Sequence, residues 1–72
     1  MVRSAKKAAI IDVVAANVRA ARKDAGLSQE ELALAADVDR TYVTQVEGGR
    51  RNITVTVLDK LAGALGVTPT SF

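Results

Sequence analysis

The chain has 72 residues, a formal net charge of +2, and neither cysteine nor histidine, which suits one small domain over residues 1–72 with a core so limited that a second copy would help to stabilise it. Without Cys and His there is no disulfide framework, no thiolate and no imidazole for metal binding or neutral-pH proton transfer. Asp, Glu and Lys remain without any constellation among them, so a non-enzyme that needs no cofactor and no metal is expected.

Strand signals are nearly absent, and Ala- and Leu-rich runs punctuated by Gly point to an all-α, compact four- to five-helix domain. The first helix is expected from about Ala5 or Ile10 to Ala25, with Val14, Val18 and Ala21 facing inward and Gly26 as its stop. Residues 1–9 are expected to fray or to form an arm. The opening MVRSAKKAAIIDVVAANVRAARK carries basic residues and an apolar patch, but Asp12 and Asn17 interrupt it. It lacks the apolar run of a signal peptide and the length of a membrane span, so a cytoplasmic protein is expected.

Ser28 begins the second helix, because SQEE is a capping box in which the Ser oxygen and the Glu31 carboxylate each take a backbone N–H of the other. Leu32, Ala33 and Ala36 should form its buried side. A turn at Asp37 and Val38 leads to Asp39, the cap of a third helix over Arg40 to Glu47, which Gly48 and Gly49 end. The loop through Asn52 and Ile53 delivers Thr54 as the cap of a fourth helix, about Val55 to Leu65, with Leu58, Leu61, Ala62 and Leu65 inward and Gly66 as its stop. Thr68 and Pro69 then start one more helical turn. No linker, repeat or low-complexity tract divides the chain.

The third helix carries the functional signal. At roughly 100° per residue, Arg40, Thr44, Thr41 and Gln45 share an arc of about 140°, while Tyr42, Val46, Val43 and Glu47 share the opposite one. One face packs and the other stays free. Arg is a forked donor for guanine O6 and N7, Gln matches adenine N6 and N7, and a Thr methyl suits a thymine methyl. An ordinary solvated helix would be polar on the same face, so the neighbouring residues carry weight.

Those neighbours favour DNA. The turn before the third helix is short and holds the hydrophobic Val38, as a helix-turn-helix unit requires. Gln29 lies in the first turn of the second helix, where backbone N–H groups and the helix dipole suit a phosphate. Arg40, Arg50 and Arg51 cluster around the reading helix, whereas Asp24, Glu30 and Glu31 lie before or at the start of the preceding one, giving a local basic footprint. A solvated loop is the alternative for Arg50 and Arg51. Tyr42 suits either the core and its rim or a DNA contact.

The run GLSQEELALAADVDRTYVTQVEGGRRN followed by LDKLAGALGV resembles the lambda-Cro and phage-repressor type of helix-turn-helix family, often called the XRE family, and with the first helix the resemblance covers most of the chain. Through DRTYVTQVEGGRRNIT and its length, the chain looks most like the controller proteins of restriction-modification systems. The resemblance implies base contacts from Arg40, Thr41, Thr44 and Gln45. It implies backbone contacts from Gln29, Arg51 and Asn52, and also from Arg50, and a structural ion pair between Arg22 and Glu47. Two departures stand out: Asp37 occupies a turn position where Gly is usual in the family, and the fourth helix reads VTVLDKLAGAL, with β-branched residues and Gly63 in place of stronger helix formers.

One reading helix specifies few base pairs, so a two-fold homodimer with its helices about 34 Å apart on an inverted repeat is expected. Val55, Val57, Val67 and Phe72 are its interface candidates, with local core packing as the other use of the same residues. The expected function is a sequence-specific DNA-binding transcriptional regulator, controller-like and autoregulatory. Double-stranded DNA and a second copy are its partners, and the controller resemblance adds RNA polymerase, met through acidic residues such as Glu30. No membrane or small-molecule ligand is expected. The alternative is a protein-interaction module of the same fold, an antitoxin or antiactivator, which need not keep a polar, cationic reading face.

Overall fold

The computed structural model describes the backbone of residues 2–72 and the side chains of residues 10–72. Four helices follow one another: α1 (Val2–Asp24), α2 (Gln29–Ala36), α3 (Arg40–Glu47) and α4 (Val55–Leu65), then a single 3-10 turn at Pro69–Ser71. The helix α1 begins ahead of either expected start, since the segment before Ile10 contains no Gly or Pro and three Ala residues that favour helix. The expected arm at residues 1–9 lies outside the residues whose side chains are described.

Local chemistry sets the boundaries. Ser28 Oγ accepts from Glu31 N at 3.0 Å and Glu31 Oε1 accepts from Ser28 N at 2.9 Å, closing the capping box at the start of α2. The backbone N–H of Ser28, and after it the Ser28 hydroxyl, hold the Glu31 carboxyl below its ordinary value by hydrogen bonding. At the other end Asp37 adopts φ 55° and ψ 49°, a left-handed turn that lets Val38 N reach Ala33 O at 3.0 Å. Asp39 then caps α3 by accepting from Thr41 N at 2.8 Å, and Thr54 caps α4 by accepting from Val57 N at 3.2 Å. Two short helices are thus set back to back with only Asp37, Val38 and Asp39 between them.

The core gathers where these helices meet. Val18 of α1, Leu32, Ala33 and Ala36 of α2, Val43 and Val46 of α3 and Leu61 of α4 form one buried cluster. Ala15 and Ala62 are buried beside it. The inward face of α4 differs from expectation in one residue: Val57 and Leu65 pack on the cluster, whereas Leu58, half-buried like Val57, is not among the residues packed on it. Since α4 meets α2 more broadly than it meets α1, its buried stripe is rotated toward Val57 and Leu61. That burial and the Thr54 cap offset the weak helix propensity of its Val, Thr and Gly residues.

Candidate nucleic-acid interface

Each half of α3 is used for one purpose. Val43 and Val46 are buried, and Arg40, Thr41 and Thr44 are exposed, with Gln45 half-exposed at the edge of the same face. The two valines tie α3 to the core, so the polar face is carried on a fixed element rather than on a loop. Among the described residues no large apolar side chain interrupts it.

The rear of α3 is locked by charge. Arg22 Nε and Nη2 donate to the two carboxylate oxygens of Glu47 at 2.7 and 3.0 Å, and Arg22 Nη1 donates to Leu27 O at 2.7 Å. The fork geometry matches the carboxylate in two places at once, and the hydrogen bond to Glu47 raises the guanidinium pKa above its ordinary value, outweighing the opposing effect of burial. Gln29 joins this group: its Nε2 donates to Glu47 Oε1 at 3.2 Å, and its Oε1 accepts from the Thr44 hydroxyl at 3.0 Å. The ion pair therefore extends through Gln29 to the outward face of α3. Gln29 stands at the start of α2, with one N–H and the oxygen of its amide bonded to α3.

The loop after α3 folds back over it. Gly49 has φ +69°, a backbone shape that favours glycine, and among the described residues the only close neighbour of a Cβ there would be Asp12 Oδ1, the movable end of an exposed side chain of α1. Arg50 N bonds back to Gln45 O at 2.9 Å, which turns the chain toward the reading face. Arg51 follows, donating from Nε to Gln45 Oε1 at 2.8 Å while its guanidinium carbon lies 4.5 Å from the centroid of the Tyr42 ring. Tyr42 is itself placed by the core and by its hydroxyl, which accepts from Thr54 N at 3.4 Å. It therefore holds Arg51 and belongs to the core rim. Arg50 and Asn52 are exposed on the same loop.

One cation missed in the sequence borders this face. Arg19, exposed on α1, lines a shallow groove together with Arg22, Gln29, Thr44, Glu47 and Gly48. Its helical position gave no signal, because only the crossing of α1 over α3 brings it there.

The interface candidates for a second copy divide. Val57 and Phe72 are half-buried against the chain's own core, and Val67 is half-buried, whereas Val55 is 82% exposed. Among the described residues no helix is long and apolar enough to cross a membrane.

Comparison with known proteins agrees with this geometry. A helix-turn-helix family model matches residues 18–72. A hypothetical transcription factor of Neisseria meningitidis serogroup B is 51% identical over 55 residues, covering 76% of this chain and 52% of that protein. Control protein C.MunI of a Mycoplasma species is 45% identical over 42 residues, covering 58% of this chain and 57% of the relative. The chain thus spans little more than half the length of these two relatives. Among solved structures, the restriction-modification controller protein C.AhdI of Aeromonas hydrophila superposes with a TM-score of 0.85 at 40% identity, covering 88% of this chain and 96% of that one.

Proposed function

This chain belongs to the helix-turn-helix family, and we propose that it is a sequence-specific DNA-binding transcriptional regulator acting as a homodimer on an inverted-repeat operator, in the manner of a restriction-modification controller and on its own promoter. The observation that carries this reading is the division of α3: Val43, Val46 and the Arg22–Glu47 pair hold it from behind, leaving Arg40, Thr41, Thr44 and Gln45 together on the outside. A helix so presented fits the major groove of B-DNA, where base edges carry a distinct pattern of donors and acceptors.

Contacts then divide by role. Arg40, Thr41, Thr44 and Gln45 read base edges, while Arg50, Arg51 and Arg19 flank that face and neutralise phosphates, and Asn52 donates a hydrogen bond to one. Val55, fully outside the core at the start of α4, nucleates the contact with a second copy, and Val67 and the exposed parts of Val57 and Phe72 extend it. Two copies place two reading helices on successive turns of the groove, about 34 Å apart. Glu30, exposed in the first turn of α2, is the acidic residue turned toward RNA polymerase. The cytoplasm is where such a regulator meets its DNA, and it responds to its own concentration.

The test is selection of bound fragments from a randomised duplex pool and from the host genome. A recurrent inverted repeat upstream of the chain's own gene is the expected result. Binding that is equal for all sequences would overturn the regulator reading.

A further inference from the structure

The surroundings of Gln45 limit which base it can read. We propose that Arg51 is a specificity-determining residue that acts by fixing the orientation of the Gln45 amide, so that Gln45 turns its N–H donors rather than its oxygen to DNA and selects guanine over adenine. This inference rests on the regulator reading above and deepens it.

The donor inventory leaves one orientation. Arg51 has no acceptor, so the Gln45 atom lying 2.8 Å from its Nε is the carbonyl oxygen. That oxygen keeps a second lone pair, but Arg51 holds it on its own side, so the end of the amide left to turn toward a base is the NH2 group. Adenine presents N7 as an acceptor and N6 as a donor in the major groove, so the paired contact of a Gln to adenine needs both ends of the amide. Guanine presents two adjacent acceptors, N7 and O6. A Gln45 that presents its N–H donors matches guanine and leaves adenine N6 facing another donor.

Arg51 is held in place by the turn that carries it and by an aromatic ring. The turn at Gly48 and Gly49 and the bond from Arg50 N to Gln45 O bring the chain back over α3. The ring of Tyr42 supports the guanidinium 4.5 Å from its centroid, and the start of α4 fixes that ring through Thr54 N. Such stacking with a simultaneous Nε bond depends on the planar guanidinium and is not reproduced by an ammonium. The two terminal nitrogens of Arg51 stay free for a phosphate, so its charge and its positioning role can be separated by experiment.

The full chain is assayed by selection from a randomised duplex pool, followed by binding to the selected duplex and to single-base variants at several salt concentrations. Gln45→Ala first locates the base pair that Gln45 reads. There the wild type is expected to prefer guanine to adenine by about fivefold or more. Arg51→Ala should lower that ratio at least about fivefold and should also weaken all duplexes with a shallower salt dependence. Arg51→Lys should keep the salt dependence and still lower the ratio. Thermal melting of each variant confirms that the fold survives. A wild-type preference for adenine at that pair, or a ratio unchanged in both Arg51 variants, overturns the inference while leaving the regulator reading intact. Absence of any sequence selection by the wild type overturns both.

Discussion

Arg22 and Glu47, 25 positions apart, meet through two parallel hydrogen bonds of 2.7 and 3.0 Å with side-chain exposures of only 11% and 3%. The pair joins α1 to the last turn of α3, and Gln29 carries it forward to Thr44 on the opposite face. The reading face and the interior are in this way parts of one hydrogen-bonded group. Gln29, expected at the DNA backbone, uses one amide N–H and its oxygen within the protein and keeps a second N–H.

Removing one partner of that pair leaves a charge with little access to water. Glu47→Ala is expected to destabilise the fold by about 3 to 5 kcal/mol, a large part of the stability of a domain this size. Replacing both residues by apolar ones of similar volume should recover much of the loss, because the desolvation of both charges is then avoided. Urea unfolding of the two single variants and the double variant measures this. A loss under about 1 kcal/mol for Glu47→Ala would show that the pair is not buried in solution.

Arg40 stands exposed at the first position of α3, with its side chain outside the network behind it. Arg40→Ala should weaken binding to the selected operator by about 1 to 3 kcal/mol and relax the preference at one base pair, with folding stability unchanged. Thermal melting alongside binding to single-base variants separates the two effects. Equal weakening on every duplex would instead place Arg40 on phosphate.

Acid should weaken the capping box. The Glu31 carboxyl is held below its unfolded value by the bonds to Ser28, so its contribution is complete above the ordinary glutamate value of about 4.3 and is lost as pH falls through the lower folded value. The stability difference between wild type and Glu31→Gln is therefore expected at neutral pH and should shrink in that acidic window. Denaturant midpoints of both proteins across the window check it; a difference independent of pH would remove the carboxylate from the cap.

Asp37 bears the backbone cost of the turn, since φ 55° is unfavourable for a residue with a Cβ. Asp37→Gly relieves that cost but adds freedom to the unfolded chain, so the expected gain is small, about 0.5 to 1 kcal/mol. A loss of stability would mean that the Asp carboxylate contributes a contact that glycine lacks.

Val55 gives the clearest handle on assembly. At 82% exposure it contributes little to the fold of one copy, so Val55→Asp should leave the melting temperature of a dilute sample nearly unchanged. If the start of α4 forms the dimer contact, the same substitution shifts sedimentation from dimer to monomer and removes cooperativity from operator binding. A variant that remains dimeric would move the interface elsewhere.

Much of this molecule is determined by interactions between residues close in sequence, and those can be read without coordinates. Ser28, Asp39 and Thr54 cap helices, Gly26 and Gly66 end them, and Arg40, Thr41, Thr44 and Gln45 fall on one face because backbone N–H groups near helix ends and the period of 3.6 leave few options. The pair Arg22–Glu47 was implied only by the family resemblance. What the tertiary structure decided are the contacts set by helix crossing and loop return: Gln29 turned inward to Glu47, Val57 rather than Leu58 placed on the core, Arg19 brought beside Thr44, and Arg51 folded onto Tyr42 and Gln45. None of these follows a helical period, since each depends on the angle at which separate elements meet and on which donor reaches an acceptor first. The residues facing DNA are thus local choices of sequence, whereas the direction in which Gln45 points its donors is set by residues that arrive from the following loop.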